Sequence, residues 1–396
     1  MGGWMSDYVI NVQWRSASIK NRARARQTPD LGLRPRAPPS GLTGRMGPGD
    51  NCGRHTGGIR DARGPAGPPR AGAGGEFTPV LIVENLGGLP DRARGAFLAV
   101  GNFDGVHRGH ARLIARLRAR ADAAGVAALA LTFDPHPAAL LRPGVAPAPL
   151  AWTTRNAELL REAGATEVGV FRTGPWLLGL SAREFFDRVI LGQFVARGLV
   201  EGPTFGFGRD RAGDPALLAT WCAEAGLGLE IVPPTEVDGR IVSSTRIRAA
   251  LGEGRVEEAA TLLGRPHRLR GLISRGAGRG ATIGFATANL NPIETLLPSD
   301  GVYAGSARIP DEVGPVAAAI NIGPNPTFGE GARKVEVHLI DHPSGDLYGR
   351  TLEVDLLARL RPTCRFEGLD DLLAQIRRDV KSARAAFNAQ AGAVPK

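Results

Sequence analysis

Two histidines, His107 and His110, have the type and spacing that most directly indicate chemistry in this sequence. They lie three residues apart at the start of an Ala/Leu/Arg-rich segment, so both imidazoles face one side of a first helical turn. A helix N-terminus offers unpaired N–H groups and the positive end of its dipole, and both favour a bound phosphate. Gly109, between the histidines, lets a phosphate approach the backbone. An isolated pair would ordinarily be two surface histidines, but the turn before it favours a phosphate site.

A glycine-containing turn joins this helix start to an apolar segment. The pattern predicts a strand over Leu98–Phe103 and a helix over Arg108–Ala124. Parallel α/β sheets bind ligands at the carboxyl ends of their strands, which is where this turn lies. The predicted phosphate-binding turn contains Gly101, Asn102, Phe103, Asp104 and Gly109.

A second polar cluster, Ser244, Thr245 and Arg248, lies in the segment IVSSTRIR at 241–248. Together with Ser243, the hydroxyls can cap a helix by accepting hydrogen bonds from its first N–H groups, which is the purely structural interpretation. They can equally form a phosphate clamp with Arg248, because a planar guanidinium suits phosphate oxygens. In a chain that also carries the histidine motif, we expect the clamp.

The segment GAGRGATIGFATANL, Gly276–Leu290, combines a glycine-rich loop with two oxygen donors. It is not a Walker loop, because the GK[ST] sequence is missing. Thr287 and Asn289 carry side-chain oxygens two residues apart, which suit Mg²⁺ when phosphates complete its ligand shell. The candidate phosphate-binding glycines of this loop are Gly278, Gly280 and Gly284.

Alternation in Val335–Leu339 places Glu336 and His338 on one face of a predicted strand and three apolar residues on the other. A charged pair on the outer face of a strand is ordinarily only solvated. A carboxylate that faces a ligand can instead accept the proton of a hydroxyl nucleophile, so Glu336 is the candidate general base.

Strands and helices alternate from Phe77 to about Arg265, which predicts a doubly wound parallel sheet. From residue 266 onwards, six short strands separated by turns and one final helix predict an antiparallel β-barrel with a C-terminal helix. We therefore expect a tail at 1–75, an α/β domain at 77–265 and a barrel domain at 266–390. The remaining predicted sheet strands are Ala127–Phe133, Glu167–Phe171 and Leu229–Pro233, and the remaining helices are Thr153–Ala163, Ala182–Leu191, Pro215–Ala225, Ser244–Leu251 and Asp370–Phe387. The predicted barrel strands are His267–Arg275, Ala281–Phe285, Tyr303–Ile309, Ala317–Ile322, Lys334–Ile340 and Leu352–Leu360.

The net charge of +10 is concentrated in residues 1–75, which hold 12 Lys/Arg and four Asp. The other 37 basic and 35 acidic residues nearly cancel, so we expect no nucleic-acid partner.

The Gly/Pro/Arg-rich tail cannot bury enough apolar surface to order itself; a transit peptide and a misassigned start codon are the alternatives. The three cysteines form no CxxC pair, which is typical of a reducing cytoplasm, and no apolar run approaches the ~18 residues of a membrane span.

In order along residues 80–387, these motifs resemble bacterial bifunctional riboflavin kinase/FAD synthetases. Four motifs resemble the adenylyltransferase half: GNFDGVHRGH, TFDPHP, FGFGRDRAGD and VSSTRIR. Six resemble the kinase half: GATIGFATANL, SDGVYAG, NIGPNPTFGE, VEVHLID, GDLYG and the QIRRD helix. Two positions depart from the family pattern: Ala286 stands where a proline usually precedes the Thr, and Thr204 where an amide or acid usually precedes the Phe-x-Phe. The resemblance implies that the ATP phosphates are held by His107, His110, Ser244, Thr245 and Arg248, that Mg-ATP is held by Thr287 and Asn289, and that Glu336 is the base. For the flavin we expect contacts from His136, Thr204, Arg209 and Asn321.

The resemblance implies a cytoplasmic enzyme with two reactions and only small-molecule partners, namely riboflavin, FMN, FAD and ATP. Riboflavin would be phosphorylated to FMN with ATP and Mg²⁺, and FMN would then be adenylylated to FAD with release of pyrophosphate. Three alternatives compete: a kinase whose first domain is an idle remnant, a flavin- or nucleotide-sensing module, and an adenylyltransferase for another phosphate acceptor. The intact HxGH and SSTRIR motifs disfavour the first, Glu336 with the metal pair disfavours the second, and the kinase-like barrel disfavours the third.

Overall fold

The structure is a computed structural model of the 396-residue chain, and it describes residues 80–87, 89–276, 280, 283–309, 312–325, 330–343 and 346–392. All of these lie within one compact unit, Gly74–Lys396. The predictions for the tail at 1–75 and for Gly278 fall outside the described residues.

Six parallel strands form a sheet in the order β1-β4-β3-β2-β5-β6. They are β1 (Leu81–Val83), β2 (Phe97–Val100), β3 (Ala128–Asp134), β4 (Glu167–Arg172), β5 (Gly198–Glu201) and β6 (Gly228–Ile231). All four residues of β2 are buried, as expected for a central strand that is covered on both faces. The strand order reverses between β2 and β5, and such a switch point is where open α/β sheets bind ligands. The predicted parallel α/β sheet is confirmed.

The helices of this part begin and end at capping residues. They are α1 (Arg108–Ala124), α2 (Pro137–Leu141), α3 (Thr153–Glu162), α4 (Pro175–Leu178), α5 (Ala182–Glu184, continued by a π-helix at Phe185–Gln193), α6 (Pro215–Glu224), α7 (Ser244–Gly252) and α8 (Val256–Leu263). Short 3₁₀ turns lie at Asp91–Ala93 and Arg209–Arg211, and β7 (Glu236–Val237) pairs with β8 (Arg240–Ile241). Helix α1 ends at Gly125, whose left-handed backbone (φ 64°) stops the helix.

A closed antiparallel barrel of six strands follows, in the order β10-β13-β12-β11-β14-β9. Its strands are β9 (His267–Ser274), β10 (Ala288–Ile293), β11 (Gly301–Arg308), β12 (Val316–Asn325), β13 (Glu330–Leu339) and β14 (Thr351–Arg361). Residues of β9 alternate between buried and more exposed, because one face lines the barrel interior. The last helix, α9 (Leu369–Gly392), packs on β11, β12 and β14. The predicted barrel with a C-terminal helix is confirmed.

One predicted strand is wrong, and several elements were missed. The described part of Ala281–Phe285 is a turn, because the N–H groups of Ile283 and Phe285 both donate to the Gly280 carbonyl and curl the chain. The barrel strand lies later, at β10. The sequence pattern also missed β1, β5 and α8, whose residues lie on short or uniformly apolar segments.

The helix pair α7–α8 shares one hydrophobic core with the barrel. Its buried residues, among them Ile247, Leu251 and Leu262, belong to the same cluster as Leu269 and Val354 of the barrel interior. Helix α8 also packs directly on β14 and β9. The chain therefore has no break in packing at the residue where its sequence pattern changes.

Neither membrane spans nor disulfides occur in the described residues. None of the helices there is long and apolar enough to cross a bilayer. Cys222 is buried and Cys364 exposed, and both are free thiols.

Candidate active sites

The turn after β2 brings His107 and His110 together at the carboxyl edge of the sheet. The two imidazole rings are stacked, with centroids 3.6 Å apart, and the Phe103 ring meets His110 edge-on at 5.2 Å. His107 caps α1, because its Nδ1 accepts a hydrogen bond from the His110 N–H at 3.3 Å. A Cβ at Gly109 would lie 3.1 Å from the His107 ring, so glycine leaves room for that ring.

The buried surroundings of both histidines favour their neutral form. Burial lowers the pKa of His107 to about 4, and burial together with the neighbouring His107 and Arg265 lowers that of His110 well below its usual range. The buried Nδ1 of His110 has no hydrogen-bond partner among the described residues. A neutral imidazole donates one N–H and accepts at the other nitrogen, so the pair can bind anionic oxygens without carrying a charge.

The carboxylate of Asp104 fixes the clamp residue Arg248. It accepts hydrogen bonds from the Leu150 N–H at 2.9 Å and the Ala151 N–H at 3.3 Å, and it forms an ion pair with Arg248. Burial raises the pKa of Asp104, while Arg248 lowers it. The guanidinium also donates to the Ala148 carbonyl at 3.2 Å. Asp104, predicted as a phosphate-binding residue, thus contacts the clamp arginine in this structure.

The hydroxyl residues Ser243, Ser244 and Thr245 differ in what their side chains contact. Ser243 is the helix cap, since its Oγ accepts from the Arg246 N–H at 3.2 Å. Ser244, at the first position of α7, donates to the Asp104 carbonyl at 3.4 Å, while Thr245 is exposed. The capping interpretation therefore holds for Ser243, and the phosphate clamp of Ser244, Thr245 and Arg248 stays a prediction.

The backbone of the turn is held in an unusual conformation. Gly105 and the non-glycine residues Phe103 and Val106 all have positive φ, at 72°, 40° and 35°. A Cβ at Gly105 would lie 2.8 Å from that of Leu150, so only glycine fits there. Its N–H donates to the Asn156 side chain at 2.9 Å. Asn156 was not predicted, and its place on an ordinary helix gave no signal in the sequence.

The other predicted residues of this half lie around the turn or beyond it. Asn102 is exposed and its carbonyl accepts from the Thr132 hydroxyl, while Gly101 packs against the Phe103 ring. His136 caps α2, and it interacts electrostatically with Asp104 and Arg248, which places it beside the clamp.

The segment around Phe205 and Phe207 divides between core and surface. Thr204 and Arg209 are exposed. Phe207 lies in the hydrophobic core and forms only an isolated bridge with Gly213, so the Phe-x-Phe segment is mainly core and not a strand.

Four polar residues form a row across neighbouring strands of the barrel. Asn289 of β10 lies opposite both Ser274 of β9 and Glu336 of β13, and Glu336 lies opposite Asn321 of β12. Directly opposed residues have Cβ atoms about 4.5–5.5 Å apart. Their chain neighbours, such as Val337, are buried in the barrel core, so the row lies on the outer face. The structure thus brings together the candidate base, one candidate metal ligand and one candidate flavin contact.

The loop before β10 lies against the same row. A Cβ at Gly276 would collide with the Asn289 amide, and one at Gly280 would lie 3.3 Å from the Thr287 hydroxyl. Gly284 has a positive φ of 84°, which suits the turn. The loop therefore approaches the two candidate metal ligands as closely as glycine allows.

His338 holds the backbone at the position where the family proline is missing. Its Nδ1 lies 2.8 Å from the Ala286 carbonyl, and because a carbonyl only accepts, His338 donates this hydrogen bond. The Phe285 ring packs edge-on against the same imidazole at 5.5 Å. This contact fixes the peptide that precedes Thr287.

A buried carboxyl that the sequence did not reveal, Glu201, lies at the end of β5 beside β2. Its Oε1 accepts a hydrogen bond from the Val100 N–H at 2.8 Å, where the β2–β5 pairing has ended. Burial raises its pKa well above the usual range of glutamate. At pH values between the pKa of the unfolded chain and the higher pKa of the folded state, the Glu201 carboxyl therefore keeps its proton in the folded state and loses it in the unfolded chain.

The Glu201→Gln variant should be more stable than the parent at alkaline pH. A folded-state pKa above the unfolded one makes stability fall as pH rises through the window between them, and Gln removes that loss. We expect a higher Tm at about pH 8 and no gain at about pH 4, measured by thermal unfolding. Glu230→Gln, on the neighbouring β6, is the control, and an equal gain at both pH values would contradict the prediction.

Comparisons with known proteins match both halves of the chain. The riboflavin kinase family matches residues 263–387, and the FAD synthetase family matches residues 89–246. A bifunctional riboflavin kinase/FMN adenylyltransferase of Pseudomonas fluorescens is 39% identical over 77% of this chain and 97% of its own length. A protein of the same name from Escherichia coli K12 is 34% identical over 77% of this chain and 96% of its own length. Another from Bacillus subtilis is 31% identical over 74% of this chain and 92% of its own length. A solved structure described as a macrolide-efflux protein of Streptococcus pneumoniae is 31% identical and superimposes with a TM-score of 0.68 over 77% of this chain and 98% of that one.

The two family matches follow the two folds of the chain. The FAD synthetase match covers β2 to β6 of the parallel sheet and the stacked histidines, and the riboflavin kinase match covers the barrel with its outer polar row. The relatives span both parts in one chain. This chain belongs to the family of bifunctional riboflavin kinase/FMN adenylyltransferases.

Proposed function

We propose that this chain converts riboflavin to FAD in two ATP-dependent steps at two separate sites. Family membership over both folds supports the pair of activities. The observation that carries the proposal is that the chain has two separate groups of polar residues. One is the pair of stacked histidines at the edge of the sheet, and the other is the carboxylate-amide row on the barrel. We assign residues 77–265 to adenylyl transfer and 266–390 to the kinase.

The barrel would transfer the γ-phosphoryl group of ATP to the ribityl 5′-hydroxyl of riboflavin. Glu336 accepts the hydroxyl proton, the new O–P bond forms, and ADP leaves. Asn321, which lies opposite Glu336, would orient the flavin along the same row. Phosphoryl transfer depends mainly on positioning and electrostatics, so one base on a rigid strand is a sufficient protein contribution.

Thr287 and Asn289 are the residues that would hold Mg²⁺ with the ATP phosphates. Their oxygens are hard donors that suit this ion, and Gly276 and Gly280 pass close to the two side chains. When bound, Mg²⁺ would neutralise charge on the transferring phosphoryl group. The hydrogen bond from His338 to Ala286 keeps the Thr287 backbone in place without the family proline.

The sheet would join FMN to the adenylyl group of a second ATP. A phosphate oxygen of FMN attacks the α-phosphorus and pyrophosphate leaves, and this nucleophile is already an anion, so no base is required. His107, His110 and Arg248 stabilise the charge on the pentacoordinate phosphorus, with the N–H groups of α1. Asp104 acts through Arg248, whose guanidinium it fixes. The remaining proposed contacts are the phosphate-binding Gly101, Asn102, Phe103, Gly109, Ser244 and Thr245 and the flavin-binding His136, Thr204 and Arg209.

The proposed location is the cytoplasm, where both riboflavin and ATP are available. Free thiols at Cys222 and Cys364 agree with a reducing compartment.

The direct test is incubation of the purified full chain with riboflavin, ATP and Mg²⁺, followed by chromatographic separation of the flavins. We expect FMN to form first and FAD to follow, with ADP released in the first step and pyrophosphate in the second. Accumulation of FMN alone would support a kinase with an idle sheet domain. Conversion of supplied FMN but not of riboflavin would remove the kinase assignment.

A further inference from the structure

Arg265, in the link between α8 and β9, reaches back to the turn that carries the histidines. Its guanidinium donates hydrogen bonds to the carbonyl groups of Gly105 and Val106, the latter at 3.0 Å, and to Leu263 at 3.2 Å. The first two contacts span about 160 residues of sequence. All three of these hydrogen bonds go to main-chain carbonyls, so the side chain serves to hold backbone.

The backbone that Arg265 holds is a strained one. Val106 is β-branched and has a φ of 35°, a conformation such residues rarely adopt. Such a backbone conformation is kept only where several surrounding contacts hold it. The two carbonyls that Arg265 binds are those of Val106 and of the residue before it, and the next residue is His107, the cap of α1. Loss of Arg265 would therefore release the strain directly beside the histidines.

Arg265 also lies at the junction with the barrel. It precedes Pro266 and the first residue of β9, while the preceding helix α8 packs on the barrel. Burial lowers its pKa to about 10, so it remains a cation at physiological pH. The charge contributes to the lowered pKa of both histidines, which places it close to them.

We propose that Arg265 is a positioning residue for adenylyl transfer, which holds the carbonyls of Gly105 and Val106 and so keeps His107 and His110 in reactive alignment. The inference rests on the proposed assignment of these histidines to the adenylyl site. It makes part of that site depend on Arg265, the last residue before the barrel part at 266–390. The hydrogen bonds described for Arg265 go to the turn and to Leu263, and the kinase row on the outer face of the barrel is not among them.

The test compares three variants of the full chain, Arg265→Gln, Arg265→Lys and the control Arg270→Gln. Arg270 lies on the same junction and contacts Trp152 of the sheet part through a cation–π pair at 5.0 Å, but its described contacts do not include the turn. Misplacement of reacting groups by about 1 Å costs about 10²-fold in rate, so Arg265→Gln should lower kcat for FAD formation by about that factor. Lys keeps the charge but not the planar fork, and should restore part of the loss.

A positioning role also predicts which quantities do not move. Riboflavin phosphorylation should stay close to the parent in all three variants, and the KM values for FMN and ATP should change far less than kcat. FAD pyrophosphorolysis, the reverse reaction at the same site, should fall as much as the forward reaction. Equal losses of both activities, or a full loss in Arg270→Gln as well, would mean that the junction only supports folding and would overturn the proposal.

The histidine assignment is checked separately with His110→Ala. If that variant lacks FAD formation while a folded Arg265→Gln retains the parent rate, only the role of Arg265 is refuted. If His110→Ala retains FAD formation, the site assignment itself fails.

Discussion

The His110→Ala variant should convert riboflavin to FMN and stop there. Its imidazole is proposed to stabilise charge only in the adenylyl transition state, and it lies on the first turn of α1, whereas the polar row lies on strands of the barrel. Loss of one such electrostatic partner costs about 10²–10³ in rate. The measurement is the time course of FMN and FAD with riboflavin, ATP and Mg²⁺.

The matched control is His342→Ala, which removes an imidazole paired with Glu312 at 2.8 Å on the barrel. Both products should form in this variant as in the parent. Because His110 is stacked on His107, Tm must be compared to show that the His110 variant is folded. A folded His110→Ala protein that makes FAD at the parent rate would contradict the site assignment.

The Glu336→Gln variant should show the opposite defect, with no FMN formed from riboflavin but supplied FMN still converted to FAD. The amide preserves shape and hydrogen bonding in the row but cannot accept the hydroxyl proton. Loss of a general base costs about 10²–10⁴ in rate. Initial rates with riboflavin and with FMN as separate substrates distinguish the two steps.

Glu294→Gln is the control for charge on the barrel, since this partly exposed carboxylate follows β10 and pairs only loosely with Arg270, at 3.6 Å. It should leave both steps intact. The two defective variants should also complement each other when mixed, because FMN released by His110→Ala is the substrate that Glu336→Gln can still use. If either variant loses both activities while folded, the two reactions share a site and the two-site scheme is wrong.

Local sequence signals predicted the elements that carry chemistry. The spacing of His107 and His110 predicted that their rings lie together, and the contact forms at the helix start, where His107 caps α1 and accepts a hydrogen bond from the His110 N–H. The alternation around Glu336 predicted the outer face of β13, because strand periodicity decides that face. In both cases the deciding interactions lie within a few residues along the chain.

Contacts between distant segments could not be predicted in the same way. The hydrogen bonds of Arg265 join residues about 160 positions apart, and no local pattern distinguishes that arginine from its neighbours. Glu201 lies in a short apolar strand, and nothing in the sequence around it indicated that its carboxyl is buried. The strand expected at Ala281–Phe285 was wrong because hydrogen bonds to the Gly280 carbonyl favour a turn over an extended chain.

The shared core of α7–α8 and the barrel bears on how such proteins can be recombined. The two family matches stop at residue 246 and resume at residue 263, so most of the helix pair belongs to neither, yet its apolar residues lie in the barrel's cluster. A chimera that exchanges the barrel of two relatives at residue 266 would set one protein's helices against the other's core. Each mismatched buried side chain then costs about 1–3 kcal/mol. The unit that can be inherited intact is the barrel with its helix pair. Because Ser244, Thr245 and Arg248 all lie on α7, a transplanted kinase would carry with it the proposed phosphate clamp of the other site.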